Sequence, residues 1–282
     1  MSKKHLRRVG LIGLTAALAV LFFRDQQLRV QPEEFLVSST RLPQAFAGFR
    51  IVQVSDLHGM EFGVGNQALL AAVRTQAPDL ITITGDVVDQ VEQLAMLPAL
   101  ARGLAAIAPT YYVTGNHEWA IRQAREIKTL MEENGVIPLT NSFVTLEREG
   151  ETIVLAGVDD PNGPYDQKTA TQLRTEITAA VGDAYTILLS HRDSVETYGK
   201  WGYDLVLCGH GHGGIIRIPI LDQGMLSTGM TLFPEYDGGL YELPDGGACV
   251  VSRGLGSNTV PIQAFRLFNR PHLPVVALGG GA

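Results

Sequence analysis

Residues 79–89 read DLITITGDVVD, a β-branched apolar run that stops at Gly85 and is followed at once by two carboxylates, Asp86 and Asp89. Four further stretches have the same form. Residues 50–58, RIVQVSDLH, place Asp56 and His58 after a strand; 110–118, TYYVTGNHE, place Asn116, His117 and Glu118; 185–191, YTILLSH, place His191; and 204–212, DLVLCGHGH, place His210 and His212. Ligands of open α/β sheets gather at the carboxyl ends of strands, so clusters far apart in sequence can converge in space. Glycines 85, 115, 209 and 211 allow tight exits and close backbone approach.

The rest of the body fits this reading. Strands are expected at Arg50–Ser55, Asp79–Thr84, Thr110–Thr114, Thr152–Gly157, Tyr185–Ser190 and Asp204–Cys208. Between them the 3.6-residue period predicts helices at Asn66–Gln76, Val91–Ile107, Trp119–Asn134 and Thr169–Val181, whose apolar stripes are core faces. Strands alternating with helices indicate α/β architecture. From Ile215 onward Gly and Pro are frequent, and Gly239–Leu243, Ala248–Val251 and Pro274–Leu278 read as hairpin strands completing a sheet, with Gly279–Ala282 a loose tail.

The chain of 282 residues is 45% hydrophobic and 18% charged, enough for a sizeable core and incompatible with disorder. Cys208 and Cys249, the two cysteines, stand too far apart for a zinc module of four thiolates or a disulfide framework, and read as buried strand residues. The net charge is −7, yet Lys3, Lys4, Arg7 and Arg8 make residues 1–8 wholly basic, leaving 18 basic against 29 acidic residues in the remainder. An acidic body repels polyanions, so nucleic acid is not an expected partner.

The basic head, residues 1–8, precedes an uncharged run, VGLIGLTAALAVLFF, from Val9 to Phe23. As a helix it is roughly 22 Å long, short of a bilayer core of about 30 Å. It reads as an uncleaved membrane anchor; a cleaved signal peptide with Ala17-Leu18-Ala19 at the cut site is the rival, and Arg7-Arg8 would fit a twin-arginine signal. The excess of cations before the run keeps the head in the cytosol and places the remainder outside. A connector, residues 24–45 with Pro32 and Pro43, then leads to a catalytic domain from 46 to 282.

The polar clusters offer Asp, His and Asn with no thiolate among them, a set suited to hard or borderline divalent ions such as Zn, Mn, Fe or Mg. By the period of two, Asp56 and His58 share one side of an extended segment, and so do His210 and His212. The series DLH, GDVVD, GNHE, SH and GHGH, in this order, resembles the calcineurin-like metallophosphoesterases from Arg50 to about Leu278. The anchor, GVDDP at 157–161, HGG at 212–214 and SRGLG at 252–256 resemble the bacterial membrane-anchored, YkuE-like branch.

The resemblance implies a four-layer α/β/β/α sandwich of two mixed sheets with two divalent metal ions between strand ends. Position by position, Asp56, His58 and His212 would hold one metal, Asn116, His191 and His210 the second, and Asp86 would bridge them. His117 would be a catalytic residue outside the ligand set, with Asp89 orienting it; an ordinary acid starting a helix is the other reading of Asp89. Such a pair of ions would activate a water for in-line attack on a phosphate ester or pyrophosphate, with no covalent enzyme intermediate. Gly211 and Ile215 depart from residues common among relatives, which bears on pocket polarity rather than on the ligands. His272 reads as an ordinary surface histidine and His5 as part of the basic head. Asp159 and Asp160 read as a turn, and Tyr111, Tyr112 and Trp119 as core aromatics.

The expected function is a membrane-tethered dinuclear phosphohydrolase acting on an envelope or lipid-linked compound. A UDP-2,3-diacylglucosamine pyrophosphatase of lipid A synthesis is the alternative within the class; it predicts a cytosol-facing site. A non-catalytic metal-binding envelope scaffold is the alternative outside it, and predicts erosion of His117 or of a ligand. No GxSxG elbow, Walker A loop or GxGxxG occurs.

Overall fold

Alternating side chains on short strands decide how the layers stack. On the strand Arg50–Val54, Ile51 points one way and Val52 and Val54 the other; on Leu80–Thr84, Leu80 points one way and Ile81 and Ile83 the other. Both faces are apolar, so both must be covered. The computed structural model describes residues 3–164, 167–244, 246–257 and 265–281; the first two residues of the basic head and Ala282 of the expected tail lie outside these.

In chain order the elements begin with α1 (Lys3–Leu28), β1 (Gln31–Ser39), β2 (Arg50–Val54), α2 (Gln67–Thr75), β3 (Leu80–Thr84), α3 (Leu97–Ala105), β4 (Thr110–Val113), α4 (Asn116–Ala120), α5 (Ala124–Glu133) and β5 (Val136–Pro138). They continue with β6 (Ser142–Arg148), β7 (Glu151–Gly157), α6 (Ala170–Val181), β8 (Thr186–Leu189), α7 (Val195–Tyr198), β9 (Leu205–Cys208), β10 (Arg217–Ile218), β11 (Gln223–Gly224), β12 (Gly239–Glu242), β13 (Ala248–Val251) and β14 (His272–Gly280).

Two mixed six-stranded sheets result, ordered β1-β14-β2-β3-β4-β5 and β12-β13-β9-β8-β7-β6. Ile51, Leu80 and Val113 of the first meet Leu155, Ile187 and Leu207 of the second in a core between the sheets. Leu69 and Val73 of α2, Leu100 and Leu104 of α3, and Ile127 and Met131 of α5 cover the outer face of the first sheet; Leu173 and Ile177 of α6 and Val195 of α7 cover that of the second. This is the four-layer α/β/β/α sandwich, and Cys208 and Cys249 are buried in it as free thiols on neighbouring strands.

Two expected helices divide. Residues 91–96 form a 3-10 turn that becomes α3 where Pro98 sits in the first turn, a position that needs no backbone N–H. The 119–134 stretch is two helices, α4 and α5, separated at Arg122, whose φ is 60°. Asn116 and His117 are the first residues of α4, directly after the Gly115 cap.

The carboxyl-terminal expectations need correction. Residues 31–39 of the expected connector are β1, paired in parallel with β14 along its whole length, and Gly279 and Gly280 belong to that pairing rather than to a loose tail. Residues 274–278 are not a hairpin strand but part of β14, which lies inside the first sheet and runs antiparallel to β2. As an edge strand of mostly exposed side chains, β1 carries little hydrophobic signal. His272 is fully buried, not a surface residue: its Nδ1 accepts from Arg253 N at 3.0 Å and its Nε2 lies 3.2 Å from Glu33 of β1.

Candidate metal centre

Tight exits bring the polar clusters together. Gly85 has a φ of 86°, and a Cβ there would lie 2.5 Å from Gly115 N, so the ends of β3 and β4 close on each other only because this residue is glycine. Asp56, His58, Asp86, His210 and His212 also have positive φ, between 50° and 73°. These left-handed turns correct the expectation of extended segments: His210 and His212 do not share one side but enter two different clusters. Non-glycine residues held in this region cost roughly 1 kcal/mol or more each, a strain that concentrates at functional sites.

The first cluster joins Asp56, His58 and His212. His212 Nε2 lies 2.9 Å from His58 Nε2 and 3.5 Å from Asp56 Oδ1. The second joins Asp86, Asn116, His191 and His210, with His191 Nε2 at 3.1 Å from each of Asp86 Oδ2, Asn116 Oδ1 and His210 Nδ1. Asp86 stands between them, since the same Oδ2 is 4.0 Å from His58 Nε2. Its other oxygen accepts from the backbone N–H of His117 at 2.9 Å.

The ring nitrogens have defined tasks. His58 Nδ1 donates to Asp89 Oδ1 at 2.5 Å, and His191 Nδ1 donates to Thr84 O at 2.8 Å. Their Nε2 lone pairs therefore face other nitrogens and carboxylates in a buried space, an arrangement that needs a positive charge at its centre. Burial disfavours a charged His191, but Asp86 outweighs it and pushes the imidazole up to about 10; the demand is for a cation, met by a proton or by a metal ion. The donor set, its convergence and this charge balance fit divalent metal ions.

Asp89 reaches a second histidine, with Oδ1 also 2.9 Å from His117 Nδ1. Burial raises the Asp89 carboxyl, yet its contacts with His117 and His58 hold it down at about 2. Burial likewise opposes charge on His117, while Asp89, Asp86 and Glu118 lift it to about 9. All nine residues expected at the site thus meet through direct contacts.

Three residues the sequence reading left aside also belong here. Glu118 is fully buried and accepts from the N–H groups of Asp86, Val87 and Gly115 at 3.1, 2.6 and 2.8 Å, locking the β3 and β4 exits together. Its spacing three residues after Gly115 is a helix-capping signal that could have revealed it. Asp160 opens the expected turn, accepting from Gly163 N at 3.0 Å, but is buried and pairs with Arg192 Nε at 2.6 Å. Arg192 Nη1 donates to His210 Nε2 at 3.1 Å, and on its other flank lies a cavity of about 470 Å³ lined by Val158, Pro161, Tyr198 and Trp201. Nothing in the spacing of residues 160 and 192 announces that pair.

Comparison with known proteins agrees with this geometry. The chain is 28% identical over 271 residues to the uncharacterized metallophosphoesterase YkuE of Bacillus subtilis, covering 88% of this chain and 85% of that protein. It is 28% identical over 276 residues to an uncharacterized metallophosphoesterase of Aquifex aeolicus, covering 96% and 97%. A transmembrane protein with metallophosphoesterase domain from Danio rerio is 26% identical over 263 residues, covering 89% of this chain and 58% of that one. The calcineurin-like phosphoesterase family matches residues 49–214, more than half of the chain and the whole stretch from Asp56 to His212. Two convergent clusters of metal-binding groups, set at the strand ends that this match contains, make the protein a metal-dependent phosphoesterase belonging to the calcineurin-like phosphoesterase family.

Proposed function

We infer that this protein is a membrane-tethered phosphohydrolase with two divalent metal ions, acting outside the cytosol on a phosphate ester or pyrophosphate of an envelope or lipid-linked compound. The carrying observation is the position of Asp86 Oδ2, 3.1 Å from His191 Nε2 in one cluster and 4.0 Å from His58 Nε2 in the other. Asp56, His58 and His212 would hold one ion, Asn116, His191 and His210 the second, and Asp86 both. Metal ions held there polarise phosphoryl oxygens and acidify water, the chemistry that hydrolysis requires.

The chain's own groups supply the rest. His117, whose charged form Asp89 and Asp86 favour and whose side chain is a quarter exposed, faces the site through Nε2, 3.8 Å from Asp86 Oδ2, and would donate a proton to the leaving oxygen or offset its charge. Asp89 holds that ring by its other nitrogen. Arg192, fixed by Asp160, places a permanent cation at the rim, in a protein whose body is otherwise acidic. The tether is α1: Leu11, Ile12, Leu18 and Leu21 are all exposed, so this helix is not part of the core, and its apolar stretch Gly10–Leu28 is long enough to cross a membrane. The positive head argues for a cytosolic amino terminus.

Turnover of bis(p-nitrophenyl) phosphate and p-nitrophenyl phosphate by the detergent-solubilised full chain tests this reading. Activity should vanish in chelator, return with Mn or Zn, and be absent in Asp86→Ala. Full activity of Asp86→Ala, or of the chelated protein, would sink it.

A further inference from the structure

The carboxyl end of α1 is bound to the catalytic body. Phe22 packs edge-on against Phe268 with ring centroids 5.8 Å apart, and Phe23 lies tilted against Phe265 at 5.5 Å. Gln27 Nε2 donates to Arg266 O at 2.5 Å, and Arg270 Nε to Asp25 Oδ2 at 2.7 Å. Phe22 and Phe23 end the uncharged run, so Phe265 and Phe268 lie at the depth where that run leaves the hydrocarbon. Aromatic rings favour this interfacial depth.

Topology puts the metal centre at the same end of the sandwich. β1 follows α1 directly and is parallel to β14, which is antiparallel to β2. The first residue of β1 therefore lies toward the carboxyl end of β2, where Asp56 and His58 emerge.

From Leu267 a backbone ladder runs sideways across this end. Arg217 N donates to Leu267 O, Met225 N to Ile216 O, and Phe233 N to Met225 O. Three strand spacings of about 4.8 Å put Phe233 within roughly 15 Å of Leu267. Between Ile218 and Pro234 the chain has one charge, Asp222, and its apolar side chains face outward: Ile220 is 95% exposed, Leu221 70%, Leu232 65% and Phe233 56%. An apolar patch of this kind marks an interaction surface. The same loop borders the site, because Ser227, Thr228 and Thr231 line an opening of about 310 Å³ together with His210.

We propose that this face, Phe265 and Phe268 with the 218–233 loop, is seated in the bilayer that α1 enters, so that the opening beside His210 faces the lipid headgroups. The occupant is a lipid surface because the patch continues the contact between anchor and body. Its near absence of charge means that zwitterionic lipid suffices. The proposal rests on the membrane-anchor part of the proposed function.

The test is depth measurement by spin labels on Ile220→Cys and Leu232→Cys in the full chain, reconstituted in phosphatidylcholine nanodiscs; Cys208 and Cys249 are buried. A label on Val181→Cys, at the end of α6 beside the exposed Asp183, is the aqueous control. Labels at 220 and 232 should relax faster with oxygen than with a water-soluble nickel chelate, and the control should show the reverse. Aqueous behaviour at 220 and 232 overturns the proposal, as does a short label-to-label distance between copies, which would give the patch to a second chain. Hydrolysis of bis(p-nitrophenyl) phosphate in the same discs separates the two readings. Lipid-exposed labels without turnover leave the docking and remove the phosphohydrolase; turnover with aqueous labels does the opposite.

Discussion

The carboxylate of Asp89 stands 2.9 Å from Nδ1 of His117 and so fixes which ring nitrogen faces the metal centre. Removing His117 as alanine should lower kcat by about 10² to 10⁴ while bound metal stays constant, since the ring is outside both clusters. Asp89→Asn removes the negative charge that helps to raise His117 to about 9. Its alkaline loss of kcat should therefore move to lower pH, a shift that steady-state kinetics between pH 6 and 10 will detect. An unmoved profile would assign Asp89 to His58 alone.

Glu118, itself fully buried, holds three backbone N–H groups. Glu118→Gln replaces an acceptor oxygen by an NH2 group facing those donors, and should cost about 2–3 kcal/mol of stability. Urea unfolding of the two proteins measures this. Metal affinity should fall with it, because the same bonds hold the Asp86 backbone.

Arg192→Met removes the rim cation and keeps the length of the side chain. A tenfold higher KM for a phosphodiester, about 1.4 kcal/mol, is expected with kcat nearly unchanged. Asp160→Asn should act in the same direction, because its carboxylate aligns the guanidinium through Nε and Nη2. Equal losses in kcat would instead place Arg192 in the chemical step.

Acid should destabilise the fold through His272. Burial, assisted by the Arg253 charge, lowers this imidazole to about 4, below its ordinary 6.5. Between those values the unfolded chain binds a proton that the folded protein does not. Stability is therefore complete above about 6.5 and falls on acidification by up to ~1.4 kcal/mol per pH unit until about 4. His272→Gln should show a shallower loss between pH 7 and 5 in urea unfolding, whatever its stability at neutral pH.

The strand exits were legible because each couples a β-branched run to a glycine or a polar cluster, and this signal needs no partner strand. Asp56, Asp86 and His191 could be found one at a time. β1 was not legible: an edge strand exposes most of its side chains, and QPEEFLVSS carries two acids and a proline. Nor was His272, whose burial depends on β1 covering it. Glu118 was half legible, through its spacing from Gly115, whereas Arg192 and Asp160 meet only because β7 and β8 are neighbours.

By itself, the sequence determined the α/β alternation, the ligand chemistry at the strand ends and the apolar amino-terminal segment, because these depend on local composition and period. Tertiary structure alone supplied the geometry of the clusters that the family resemblance implied, sending His210 and His212 apart through left-handed turns that residue spacing does not encode. It also decided that β1 returns beside β14, which brings the apolar amino-terminal helix and the metal-binding clusters to one end of the sandwich. Strand order and direction arise from contacts between residues far apart in the chain, and a single sequence carries no distance between them.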